Sequence, residues 1–213
     1  MTTSHHDHTR TPGRPRNNSQ DLPLEQTILH TASRLFMEQG YETVSLMQIA
    51  KACGVTKASV YYYFSNKAQL FTSSVLFTLE LANRHTALLL QENLPLRQRL
   101  EQIAVRKMQR THIDMETMMR EASKQLNEEQ IEAIKQAEHT IHEELAKHFQ
   151  LAIDAGEMRK GDALFLAHAF SSMLMMANRG EILFSSGAEH HELPRLIVDL
   201  FWQGVQPPAE PRA

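Results

Sequence analysis

The sequence predicts an all-α protein of about nine helices, with a helix-turn-helix near its N-terminus. Three observations carry this. Apolar residues recur at intervals of three and four through most of the chain, and no stretch alternates with period two. Capping residues and glycines punctuate that pattern at helix-like intervals. Between Ser45 and Phe64, a short helical segment, a glycine and a second short segment follow one another within twenty residues.

Taken in order, Leu24, Ile28, Leu29, Ala32, Leu35 and Phe36 form the stripe of a first amphipathic helix, which Gly40 stops. Ser45-Leu46-Met47-Gln48 spells a capping box, so a second helix starts there, carries Ile49, Ala50 and Cys53 inward, and ends at Gly54. Thr56 caps a third helix that buries Val60 and Phe64. Asn66 or Ser65 caps a fourth, expected over 67–92. Pro95 is expected at the first position of a fifth, and Asp114 caps a sixth to about Gln125. Asn127 starts a long helix to about Ala155, Asp162 caps one to about Phe184, and the last runs from about Glu192 to Gln203.

Composition narrows the class. With 42% hydrophobic and 22% charged residues among 213, the chain is globular rather than disordered or fibrous. Cys53 stands alone, so no intramolecular disulfide forms and no cysteine-based zinc module is available, which suits a reducing cytoplasm. The longest uncharged run, Ala163 to Asn178, contains His168, Ser171 and Ser172 and is too short for a membrane span. A soluble, cytoplasmic protein with no membrane partner is expected. The net charge of −3 hides an asymmetry: residues 1–67 hold seven Lys/Arg against five Asp/Glu, whereas the remainder is acidic. That balance permits polyanion contact at one end.

Residues 1–22 lack apolar periodicity and read as a flexible basic arm. Arg10, Arg14 and Arg16 lie on a segment stiffened by Pro12 and Pro15. Either they follow DNA phosphates and enter a minor groove, or the segment is a solvated tail. His5, His6 and His8 are metal donors in principle, against the simpler reading of a tail or cloning remnant. Residues 23–66 form the helix-turn-helix domain, 67–206 the helical body, and the proline-rich 207–213 a flexible tail.

The pair of helices between Ser45 and Phe64 makes physical sense as a DNA reader. Ala50 is small where the helices cross, Gly54 turns the chain, and Ile49, Val55 and Val60 hold the pair to helix one. The segment from Thr56 to Tyr62 is then free to lie in a major groove. A chance helical hairpin has the same spacing.

The ordered run Leu35-Phe36, Gly40-Tyr41, Thr43, Ser45, Ile49-Ala50, Ala52, Gly54-Val55-Thr56-Lys57, Ser59-Val60-Tyr61, Tyr63-Phe64, Asn66-Lys67 and Leu70-Phe71 resembles the DNA-binding domain of the TetR family of bacterial transcriptional regulators. The resemblance covers about residues 24–71. It implies a homodimer with a divergent helical ligand-binding domain, most often a repressor released from double-stranded operator DNA by a small-molecule effector. By position it implies that Ser45, Thr56, Lys57, Ala58, Ser59, Tyr61, Tyr62 and Lys67 face DNA. Tyr61 and Lys67 would take phosphates; Lys57, Ser59 and Tyr62 would take bases, and the Ala58 methyl would meet a thymine methyl. The family usually has glycine where Ala58 stands, and many members carry a longer polar or basic residue where Met47 stands, so base readout by the second helix is not expected. Cys53 replaces a common alanine. It is a redox-sensing thiol or a small buried hydrophobe.

In the body, the helix from Asp162 is apolar nearly all round, with Ala163, Leu166, Ala167, Phe170, Leu174 and Ala177 on one stripe and Phe165, Ala169, Met173 and Met176 elsewhere. Such a helix is buried on two sides. The resemblance implies that the last two helices pair with their symmetry mates. Methionines suit an adaptable apolar pocket and equally suit plain core. Candidate effector contacts are Met108, His112, Met115, Met119, His142, His168 and Met173, with Glu116 and Glu121 nearby. His139 and His142 share a helix face, but a third metal ligand is not evident, so neither a metal nor a cofactor is expected. No phosphate-binding glycine loop, nucleophile elbow or HExxH motif is present, and an enzyme is not expected. The rival to a regulator is an all-α small-molecule-binding or scaffold protein without specific DNA binding.

Overall fold

The computed structural model describes residues 22–108, 115–177 and 191–207. Arg14, Arg16, His112, Asp114 and the expected helical stretch to Phe184 lie outside the described residues, as do the side chains of Met115, Glu116 and Met176. The described residues form nine helices and no strand: α1 (Leu24–Gln39), α2 (Leu46–Ala52), α3 (Lys57–Tyr63), α4 (Lys67–Leu90), α5 (Leu96–Met108), α6 (Met115–Ala122), α7 (Glu128–Asp154), α8 (Ala163–Ala177) and α9 (Leu193–Val205).

Most boundaries follow local chemistry. Asn66 caps α4 by accepting the Gln69 amide, and Asn127 forms a capping box with Gln130 at the head of α7. Asp162 accepts the Phe165 amide at 2.9 Å and starts α8. Four boundaries differ from expectation. Helix α4 stops at Leu90, because the Gln91 amide closes its last turn. Pro95 stands before α5, its carbonyl accepting the Gln98 and Arg99 amides. Helix α6 ends at Ala122, followed by a turn in which Leu126 bonds back to Ala122 before the Asn127 cap. The last helix is shifted to Leu193–Val205, with a proline in its first turn where no amide partner is needed.

Two apolar cores hold the chain. The first joins α1, α2, α3 and the start of α4 to Met118, Ala122, Leu126 and Ile134. At its centre, Phe36, Tyr41 and Phe71 pack with ring centroids 5.0 to 5.9 Å apart. Each buried Leu, Ile or Phe of such a core contributes about 1.5–3 kcal/mol. Leu24, expected on the buried stripe, is 38% exposed, and the first core takes up the stripe only from Ile28 onward. The second core joins the end of α4 to α5, the second half of α7, α8 and α9. Helix α4 therefore runs from one core into the other, and α7 packs along both α4 and α8. Ser33 and Thr78 share a 2.6 Å hydroxyl contact where α1 crosses α4.

Candidate nucleic-acid interface

Helices α2 and α3 form a compact corner. Ser45 Oγ accepts the Gln48 amide at 3.2 Å while the Ser45 amide donates to Gln48 Oε1 at 2.7 Å, so both serine groups are engaged in capping. Gly54 has φ of +68°, the left-handed conformation that lets α2 end and α3 begin three residues later. Nothing lies within 4 Å of where its Cβ would be, so backbone conformation alone asks for glycine there. Val60 is fully buried beneath α3. Cys53 is half-buried, its Sγ 4.0 Å from the Thr27 carbonyl oxygen.

The outer face of this corner carries the residues expected at DNA. Thr56 Oγ1 accepts the Ser59 amide at 3.1 Å and lies 2.9 Å from Ser59 Oγ, so the two hydroxyls form one unit at the start of α3. Lys57 and Ala58 are exposed beside them. The Lys57 ammonium sits 5.4 Å from the Tyr61 ring centroid, which holds a cation and a phenol together on one side. Tyr62 is 83% exposed and Met47 64%, both unusual for such large side chains. Met47 thus projects from the first turn of α2 despite being an unexpected residue there.

Lys67 is arranged differently. Its ammonium lies 4.4 Å from the Tyr41 ring centroid and donates to the Glu42 carbonyl oxygen at 3.1 Å. Burial lowers its pKa, opposed by Glu42 and Glu121. Glu121, expected near an effector pocket, instead reaches the α1–α2 turn. A Cβ on Gly40 would lie 3.2 Å from its carboxylate oxygen. The contacts of Tyr41 and Glu121 with this corner were missed by sequence reasoning; only the acidic and aromatic character of the residues is visible along the chain.

The expected effector residues do not gather at one place. Met108 is buried in the second core, and Met173 packs against it. Met119 packs against the first core. His142 and His168 do meet, with ring centroids 4.0 Å apart, and His139 lies 6.2 Å from His168. These three line a cleft of about 320 Å³ together with polar side chains of α7, among them Lys135 and Glu138. Burial, followed by His168, Lys107 and His139, pushes the His142 pKa down to about 4. Its Nδ1 is buried without a partner, as are Asn83 Oδ1, Gln102 Oε1 and Ser171 Oγ. Among the described residues no helix is long and apolar enough to cross a membrane.

Residues 28–73 match the family described as bacterial regulatory proteins, tetR family. The HTH-type transcriptional regulator AcrR of Shigella flexneri is 49% identical over 47 residues, which are 22% of each chain. The biofilm operon icaADBC HTH-type negative transcriptional regulator IcaR of Staphylococcus epidermidis is 36% identical over 52 residues, 24% of this chain and 28% of that one. The matched segments thus span about a quarter of these curated relatives. Among solved structures, reduced E. coli NemR superposes with a TM-score of 0.72 at 18% identity, covering 88% of this chain and all of that one. AibR, solved with isovaleryl coenzyme A and operator DNA, gives 0.63 at 22% identity, covering 84% and 97%. These likenesses show that the fold is shared well beyond the N-terminal domain.

Proposed function

Since residues 28–73 form a domain of the tetR family of bacterial regulatory proteins, we propose that the chain is a cytoplasmic, homodimeric transcriptional regulator, a repressor released from its operator by a small molecule. It is not an enzyme in this reading. The observation that carries it is the outer face of α3: Lys57, Ala58, Tyr61 and Tyr62 stand in solvent while Val60 anchors the helix from beneath. A side of a helix that leaves two tyrosines exposed beside a lysine suits a surface covered by nucleic acid. Lys57, Ser59 and Tyr62 would then meet base edges, Tyr61 and Lys67 phosphates, and Ser45 and Thr56 the margins of the groove. Arg14 and Arg16 would extend the contact from the arm.

Dimerisation through the last two helices is supported by Phe165 and Met175 on α8 and Leu196 and Leu200 on α9, all exposed on the single chain. A two-fold axis there would set the recognition helices about 34–36 Å apart or more, matching successive major grooves. The effector reading is supported by the unpartnered polar atoms of Asn83, Gln102, His142 and Ser171, which come from α4, α5, α7 and α8. A buried polar group without a partner costs about 1–3 kcal/mol, a cost a hydrogen-bonding ligand removes. AibR shows that a similar fold accommodates both an acyl-coenzyme A and operator DNA. Effector binding among α4 to α7 would tilt α4, whose first residue is Lys67, and change the separation of the two α3 helices. The ligand's unequal affinity for the two separations would then supply the coupling.

The test is retention of genomic DNA fragments by the purified protein, compared with the variant Lys57→Ala/Tyr61→Ala. Recovery of a few near-palindromic sites, lost in the variant while dimerisation persists, supports the regulator. Uniform salt-labile retention, or no difference between the proteins, favours an all-α binding or scaffold protein.

A further inference from the structure

Building on the reading of this chain as a regulator released by an effector, we propose that the effector is a small zwitterion of the α-amino-acid class, its carboxylate held by Lys107 of α5 and its ammonium by Glu138 of α7. The two apolar cores leave a polar gap between them, and the helices that cross it change character there. On α5, Leu96, Leu100 and Ile103 face the second core, and Lys107 continues the same stripe one turn after Ile103. On α7, Ile134 belongs to the first core and Leu145 to the second, with Glu138 and His142 on the inward stripe between them. Asn83 occupies the corresponding stretch of α4, between Val75 and Leu90, and its Oδ1 is buried without a partner.

Lys107 keeps accessible surface although burial pushes its pKa down, so its ammonium lies in a recess rather than on the outer face of the helix. Glu138 is half-buried, and burial pushes its carboxyl up. Each acts electrostatically on the other, yet among the described residues no hydrogen bond or ion pair joins them. Two opposite charges held apart in a partly desolvated gap are each short of a partner. A ligand that carries both charges supplies two at once, a carboxylate for the lysine and an ammonium for the glutamate. A ligand with one charge alone leaves the other group unmatched. The remaining groups of the cleft keep that balance. Glu132 and Lys135 lie 4.0 Å apart at its exposed rim and offset one another, and His142, with its pKa pushed down to about 4, is neutral near pH 7. An ammonium has three donors, and His142 Nδ1, one turn from Glu138, is a buried nitrogen without a partner that a neutral ring can offer as acceptor. The cleft volume of about 320 Å³ suits a molecule of amino-acid size rather than a long acyl chain.

The experiment is calorimetric titration of the full chain near neutral pH with each standard amino acid in turn, run beside the genomic-DNA retention assay. At least one should bind saturably, and its N-acetyl and carboxamide derivatives should bind about tenfold or more weakly. Lys107→Met should weaken binding of the amino acid and abolish its advantage over the carboxamide; Glu138→Gln should abolish its advantage over the N-acetyl form. A purely structural role for either residue would weaken all three ligands alike. Lys107→Arg, which keeps the charge, should keep the preference for the free carboxylate, so the outcome does not hinge on how the methionine variant folds. Failure of every amino acid to bind, or discrimination retained in Lys107→Met and Glu138→Gln, overturns the zwitterion. Specific DNA sites recovered without any amino acid bound would overturn this ligand class and leave the regulator standing. An amino acid that binds through this pair but does not release the DNA would uphold the ligand class and overturn the release.

Discussion

The Lys67 ammonium packs over the Tyr41 ring, 4.4 Å from its centroid, and bonds to the Glu42 carbonyl oxygen. This contact ties the first residue of α4 to the turn between α1 and α2, the loop on which the helix-turn-helix rests. One of the three ammonium protons is engaged by Glu42, which leaves two for a phosphate.

Replacing Lys67 with alanine should therefore act twice. Loss of the ring contact costs about 0.5–1 kcal/mol and lowers the thermal midpoint slightly. Loss of a phosphate contact should weaken DNA binding and reduce the salt dependence of log K by about one. An unchanged salt slope with a lowered midpoint would assign Lys67 a packing role alone.

Gly40 and Gly54 both adopt positive φ, yet they should respond unequally to alanine. At Gly54, φ is +68° and the space is open, so Gly54→Ala carries only the left-handed penalty of about 1–2 kcal/mol. At Gly40, φ of 82° with ψ of 162° falls in a region essentially restricted to glycine, and a Cβ would also crowd the Glu121 carboxylate. Denaturant midpoints should show a larger loss for Gly40→Ala. Adding Glu121→Ala should recover only the crowding part of that loss.

The α2–α3 corner was legible in the sequence because its determinants are local. Ser45 with Gln48, Thr56 with Ser59, and the turn at Gly54 act over three or four residues, where spacing and chemistry suffice. Long-range partners were not legible. The sequence predicts a helix to about Gln125 but not that Met118 and Ala122 join the N-terminal core, nor that Glu121 turns toward Gly40. Likewise, the sequence shows His139 and His142 on one face. Their meeting with His168 depends on how α7 and α8 pack, which no single-helix pattern encodes.

His142 makes stability pH-dependent. Its folded pKa near 4 lies below the ordinary 6.5, so the unfolded chain binds the proton more readily. The neutral ring's full contribution is present above about pH 6.5 and falls away as pH drops toward 4, with no further loss from this group below that. Discounted for water around a half-exposed ring, the loss is about 1–2 kcal/mol. Urea unfolding of the protein at pH 7 and pH 4.5 should show it, and His142→Asn should reduce the difference. An equal pH dependence in the variant would assign the effect to other groups.

The outer face of α8 and α9 supplies the last prediction. Phe165 is 68% and Leu200 62% exposed, while Phe170 and Phe201 on the inner faces of the same helices are buried with centroids 5.0 Å apart. The helices are thus apolar on both sides, and only the inner side is covered within one chain. Covering Leu200 in a second copy would gain roughly 1.5–3 kcal/mol per side by area. An aspartate there would instead place two like charges near the two-fold axis. Leu200→Asp should therefore shift sedimentation from dimer to monomer with little change in helical content, because the inner face is untouched. It should also weaken binding to a two-half-site operator far more than to an isolated half-site, since only the former needs both α3 helices linked. A variant that remains dimeric would remove the α8–α9 face from the interface.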